Sequence, residues 1–423
     1  MKTLLILGGG TAGTMAANLL RRELDRSAWA ITVVDRDDRH VYQPGLLFVP
    51  FGMAEPDRLV RSRQAYLPDG VNFIEAEVAG IEPEAHRVRL AGGFELGYDV
   101  LVVATGSAPR PEETPGLAGE LWRRDAFDFY TLDGATALRD RLATWDGGRL
   151  VIFLAESVFK CPVAPLEFAF LADAYFEERG VRDRVEITYV TPFSGAFTKP
   201  TADGVLGGLL DEKGVTVVPD FYAERVDEGR KALVSYDGRE VPFDLLVAVP
   251  VHMGADAVGA SGMGDDDDLQ FVPTDKHTLR ARDHADVFVI GDATNVPTSK
   301  AGSVAHYEAE VLVENVLAHV RGEPLPAAFD GHATCFIETG HGKATLIDFS
   351  YDTEPLPGLY PFPVVGPMRL LAETRANHLG KLAFEWAYWH RLLEGKPLGV
   401  SNAFSMRGKR VPEPADEPVP EPA

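Results

Sequence analysis

The chain has 423 residues, 45% hydrophobic and 25% charged, which suits two or three globular domains and excludes disorder over most of its length. Lys and Arg number 41 against 64 Asp and Glu, a net charge of −23 that excludes a general nucleic-acid binder. Two cysteines, Cys161 and Cys335, are too few for a disulfide scaffold, and their spacing fits no zinc motif.

Leu4 to Leu7 is apolar and runs into Gly8-Gly9-Gly10-Thr11-Ala12-Gly13 with no signal-peptide cleavage site, so it reads as a first strand. A helical pattern from Met15 to Leu24 and a second apolar run, Ala30 to Val34, complete a βαβ unit. Gly8, Gly10 and Gly13 have the G-x-G-x-x-G spacing. The first makes the turn, the second admits a pyrophosphate and the third packs helix on strand. Asp35 follows Gly13 by 22 residues, at the strand end where an acid reaches a ribose hydroxyl. Tyr98 to Gly106 is another buried strand, closing on the small turn Thr105-Gly106.

Arg149 to Leu154, a helical stretch from Val163 to Glu178 and the strand Val185 to Val190 form a second βαβ unit. Its turn, Ala155 to Pro162, holds no glycine and cannot offer the close backbone approach a pyrophosphate needs. Reduction by NADH is therefore disfavoured. Cys161 stands before Pro162 at the predicted helix start, where the dipole and free amides lower a thiol pKa. Phe243 to Val249 is a further strand, and Asp265 to Asp268 reads as a solvated loop with no metal. Val287 to Ile290 leads into Gly291-Asp292, followed by a helix over about Ser303 to Val320.

The predicted fold class is α/β, with two Rossmann-like dinucleotide-binding domains plus a C-terminal helical membrane-association region. The boundaries expected are 1–110 and 281–330 for the two parts of an FAD-binding domain and 111–280 for the second Rossmann-like domain. Residues 331–410 form a C-terminal redox-cysteine and membrane or quinone region. Val411 to Ala423, with five prolines and four acids, reads as a disordered tail. A helix is predicted over about Met368 to Leu393. Leu379, Leu382, Trp386, Trp389 and Leu393 form its apolar stripe, with Lys381, Glu385 and Arg391 elsewhere. Between Met368 and Arg410 there are eight Lys/Arg and three Asp/Glu, a balance suited to an interfacial helix.

Gly291-Asp292 and Thr105-Gly106 resemble the second signature and the Ala-Thr-Gly turn of two-domain flavoprotein disulfide reductases, which implies FAD. More narrowly, Val41 to Phe48, Cys161 to Phe168, Pro297 to Gly302 and Cys335 to Leu346 resemble the sulfide:quinone oxidoreductase family. The flavoprotein subunit of flavocytochrome c sulfide dehydrogenase is related to it. The resemblance implies that Cys161 and Cys335 form a redox disulfide facing FAD, opened by sulfide to give sulfane sulfur or polysulfide. It implies FAD contacts at Gly8, Gly10, Ala12, Gly13, Asp35, Arg36, Pro44, Val78, Thr105, Gly106, Gly291 and Asp292. Helix-terminal Cys161 is the expected flavin-facing thiolate and Cys335 the persulfide carrier. Lys300 is expected to stabilise reduced flavin, and Glu167 to relay protons to a quinone. Phe362, Trp386 and Tyr388 are candidate quinone-wall residues.

One departure is the stretch Trp122 to Asp140, which holds neither the third cysteine nor the histidine of many bacterial members. The expected partners are sulfide, a quinone and a membrane surface on the cytoplasmic side, bound peripherally; a homo-oligomer stays open. Two alternatives also stay open: an NAD(P)H-dependent quinone or disulfide reductase, and a flavoprotein subunit that docks a cytochrome.

Overall fold

The computed structural model describes residues 1–399 and 401–411. The first unit opens with β1 (Lys2–Leu7), α1 (Thr11–Glu23), β2 (Trp29–Asp35), β3 (Val71–Glu75) and β4 (Val100–Val103). The chain leaves it on β5 (Ala108–Arg110) and builds a second unit. That unit holds β6 (Ala126–Phe127), α2 (Leu132–Thr144), β7 (Gly148–Leu154), α3 (Ala164–Glu178) and β8 (Val185–Val190). It continues with α4 (Pro200–Glu212), β9 (Val215–Val218) and β10 (Leu245–Val249). The chain returns on β11 (Val251–Met253) to β12 (Val287–Val289) and α5 (Gly302–Arg321).

Each unit is a parallel five-stranded sheet, ordered β12-β4-β1-β2-β3 in the first and β6-β10-β7-β8-β9 in the second. Their strands are continuous apolar runs such as Leu4–Leu7 and Leu150–Leu154, as strands covered on both faces require. The exit and return strands β5 and β11 lie side by side, antiparallel, with Pro109 opposite His252. The second unit therefore ends near Val249, not at 280. Val258, Met263 and Val272 already pack with Leu5, Leu7, Val103 and Val289 of the first.

Beyond α5 come an antiparallel pair, β13 (Ala333–Gly340) with β14 (Lys343–Phe349), and a hairpin, β15 (Gly358–Phe362) with β16 (Gly366–Leu370). The helix expected over 368–393 is shorter: α6 spans Arg375–Ala387, followed by a wide turn over Tyr388–Leu392. Leu371 takes a positive φ of 52°, which breaks any helix there, and Thr374 caps α6 by accepting the Asn377 N–H at 3.0 Å. Of the expected tail only Val411 lies within the described residues. Among them, no helix is long and apolar enough to cross a membrane.

Candidate functional site: a dinucleotide cradle beside two thiols

The glycine turn meets each demand read from its spacing. Gly8 has φ +98°, and a Cβ there would strike the Ala104 carbonyl oxygen at 2.3 Å. A Cβ on Gly13 would lie 1.8 Å from the Gly8 carbonyl oxygen, so only glycine lets α1 sit this close to β1. A Cβ on Gly10 would meet nothing within 4 Å, leaving open space at the N-terminus of α1. The second signature closes on the first, since a Cβ on Gly291 (φ +70°) would come within 3.0 Å of the Ala12 Cβ. Gly291 N–H donates to buried Glu308 at 2.7 Å, a carboxyl that burial pushes up to about 8. The hydroxyls of Thr105 and Ser303 are buried without a partner among the described residues. A narrow cavity runs along Asp292, Thr294, Lys300 and Val304. A small-residue helix start, two touching signatures and unpaired hydroxyls fit a flavin dinucleotide.

Asp35 accepts the Gly9 N–H at 2.7 Å and pairs with Arg63 at 2.7 Å. Arg36 gives its N–H to Asp35, and its side chain stands in solvent. Val78 stands two residues after Ala76, whose N–H reaches the Asp35 carbonyl at the end of β2. Pro44 opens a short 3-10 helix over Gln43–Phe51, and Gly106 turns with φ +71°.

Lys300 ties this cradle to the first thiol. Its Nζ donates to the carbonyls of Asp292 at 3.0 Å and Thr294 at 2.7 Å, and its own carbonyl accepts the Cys161 N–H at 2.7 Å. Burial pulls the Lys300 ammonium down to about 8. Cys161 has φ +50°, a strained state for a residue with a side chain, and such strain gathers at functional sites. Cys335 lies buried on β13. That strand docks on α3, where Glu338 N–H donates to Glu167 at 2.7 Å.

The expected lowering of the Cys161 pKa is not what the structure gives. Val163 and Ala164 N–H groups act in the expected direction, but burial, joined by Glu167, pushes the thiol up to about 12. Burial also raises Cys335, and the neighbouring Cys161 raises it further. The reason for making Cys161 the standing thiolate is thereby removed.

Next to the thiols is a buried charge cluster. Lys381 pairs with Glu167, and His378 pairs with Glu338 at 2.9 Å. One lysine thus serves two buried carboxylates. Burial pushes Glu167 up to about 7 although Lys381 opposes it, and raises Glu338 likewise. Burial works against the Lys381 charge, but Glu167 and Glu338 outweigh it and hold its pKa above the ordinary value.

The family described as "Pyridine nucleotide-disulphide oxidoreductase" matches residues 2–309. The chain belongs to that family. It is an oxidoreductase of the flavoprotein fold, and the family implies a flavin cofactor. Among its relatives, "Sulfide:quinone oxidoreductase, mitochondrial" of Dictyostelium discoideum is 27% identical over 95% of this chain and 88% of the relative. The Mus musculus protein of the same name is 26% identical over 92% and 86%. The solved sulfide:quinone oxidoreductase of Aquifex aeolicus has a TM-score of 0.78 at 19% identity, covering 94% of this chain and 92% of that one.

Within this oxidoreductase, Tyr388 is not placed to wall a substrate site. It is 1% exposed, and its hydroxyl bonds Thr11 and His40, each at 2.6 Å, in a seam against the first unit. Phe362 and Trp386 are exposed. The expected apolar stripe also divides: Leu379, Leu382 and Trp386 face solvent, whereas Trp389 and Leu393 are core. Lys381 is buried, as is Lys409, paired with Asp348. Two of the eight basic residues counted near the C-terminus therefore do not serve a surface. Reading the sequence missed Arg63, Glu338, His378 and the buried role of Lys381, because each is defined by a partner distant in the chain.

Proposed function

We propose that the chain is an FAD-dependent sulfide:quinone oxidoreductase acting peripherally at the cytoplasmic face of a membrane. The observation that carries this reading is that both cysteines of the chain pack in one apolar core, where β13 docks on α3, beside the Lys300–Asp292 link to the flavin cradle. The names of the relatives support it.

Hydrosulfide attacks one sulfur of a Cys161–Cys335 disulfide. The S–S bond breaks, a persulfide forms on one cysteine and the other leaves as a thiolate. A second sulfur nucleophile takes the outer sulfur, and the two thiolates re-form the disulfide as an electron pair leaves. FAD, held by the Gly8–Gly13 turn and the Gly291-Asp292 signature, would supply the two-electron acceptor for that pair and the link to the quinone. Lys300 fixes the Cys161 backbone against the Asp292 turn. Glu167, poised near neutral pH, donates a proton toward the quinone oxygen, and Lys381 holds its carboxylate in place.

Membrane contact is supported by a cluster of exposed apolar residues: Phe362, Val364 and Val365 at the β15–β16 tip, and Leu379, Leu382 and Trp386 on α6. Such a patch on an otherwise acidic protein fits an interface with lipid. The NADH-dependent alternative is opposed by the second-unit turn, which holds no glycine and buries Phe159. Anaerobic titration of the purified protein with sulfide, then quinone, tests the reading. Sulfide should bleach the flavin and quinone restore it. Rapid bleaching by NADH, with none by sulfide, refutes it.

A further inference from the structure

In open parallel α/β sheets, ligands lie outside the carboxyl ends of the strands. In the second unit that edge carries Tyr130, three residues past β6, and Phe159, five past β7. It also carries Tyr189, next to last in β8, and His252, three past β10. The Tyr130 ring meets His252 edge-on at 4.9 Å, and Phe159 lies 6.5 Å from the same imidazole. Rings thus stand at the edge where a dinucleotide would lie.

It is not apolar. Tyr130 Oη, Tyr189 Oη and His252 Nε2 are buried with no hydrogen-bond partner among the described residues. Native cores leave few such atoms, each at a cost of about 1–3 kcal/mol. Their roles are set locally. His252 Nδ1 lies 2.9 Å from the Pro250 carbonyl, which only accepts, so Nδ1 holds the proton and Nε2 is an acceptor. Burial pulls His252 down to about 3 and raises both phenols, so the imidazole stays neutral and the hydroxyls stay donors. Phe159, whose ring lies by His252, stands two residues before Cys161 in the same turn, which brings that thiol to the crevice. Hydrosulfide asks for this set: donors for an anionic sulfur, and one acceptor for its single S–H.

We propose that Tyr130 and His252 bind hydrosulfide in the crevice beside Cys161, with the Tyr130 hydroxyl donating to sulfur and His252 Nε2 accepting the S–H. Tyr189 supplies a second hydroxyl. This inference rests on the sulfide-oxidising reading above.

The test is stopped-flow bleaching of the purified, flavin-loaded protein across a range of sulfide concentrations, under anaerobic conditions. In Tyr130→Phe and His252→Phe the half-saturating sulfide concentration should rise about tenfold, with the limiting bleaching rate within twofold of wild type. His252→Gln, which keeps an acceptor oxygen, should recover part of the loss. Quinone reoxidation of photoreduced flavin should be unchanged, which checks that each variant is folded and loaded. Wild-type protein that sulfide does not bleach overturns the functional reading. Wild-type bleaching with variants that match it in half-saturation, or that change only the limiting rate, overturns this inference alone.

Discussion

Lys381→Met replaces the lysine of a buried cluster with an apolar side chain of similar length. In the wild type Glu167 has a folded pKa of about 7 against an ordinary 4.5. Its pKa is raised on folding, so its contribution favours the fold below about pH 4.5 and is lost as pH rises through 7. Above 7 the wild-type carboxylate ionises against Lys381 and the loss levels off. In the variant no ammonium faces Glu167, so the folded protein must keep Glu167 protonated while the unfolded chain does not. Each further pH unit then costs roughly 1.4 kcal/mol. The variant should match wild type near pH 6, lose about 1.4 kcal/mol at pH 8 and about 2.7 kcal/mol at pH 9. The last figure approaches the ~3–5 kcal/mol typical of a broken buried ion pair. Urea unfolding of the flavin-loaded proteins at these three pH values measures it. A loss of equal size at every pH would show that Lys381 contributes packing and not charge.

Cys161→Ser and Cys335→Ser should each keep flavin yet lose sulfide-driven turnover by several orders of magnitude, and the double variant should lose little more. In the reduced protein, with Cys161 pushed up to about 12, iodoacetamide alkylation at pH 8 should be at least ~100-fold slower than for free cysteine and rise ~tenfold per pH unit; fast alkylation at pH 7 would contradict that burial. Quinone reoxidation of reduced flavin should fall as pH rises above about 7, and Glu167→Gln should remove that step. Replacing Leu379, Leu382 and Trp386 by serine should abolish flotation with anionic liposomes and membrane-quinone turnover while sulfide bleaching persists. Unchanged flotation would assign α6 to bracing the fold.

The glycine turn was legible because its demands are local: a positive φ at Gly8 and backbone against the sites of Gly8 and Gly13 admit no other residue. The two sheets were legible from continuous apolar runs. The thiol pKa values were not, because a helix terminus can be read from four residues whereas burial depends on β13, drawn from the far end of the chain. Lys381 illustrates the same limit. A helix with apolar residues on two faces has no unique inside, and Glu167, 214 residues earlier, decides which face turns inward.

That choice bears on how the C-terminal segment works. Lys381 ties α6 to the second unit, while Tyr388 ties the following turn to Thr11 at the start of α1 in the first. Asn18 of α1 also donates to the Leu393 carbonyl at 3.1 Å. Deleting this segment would uncover Trp389, Leu392 and Leu393, which are at most 1% exposed, and so would test core packing and not membrane contact. The exposed face of α6 can be changed alone, because Leu379, Leu382 and Trp386 share none of these bonds. One helix therefore has its inner face in the buried carboxylate cluster and its outer face toward the proposed lipid surface.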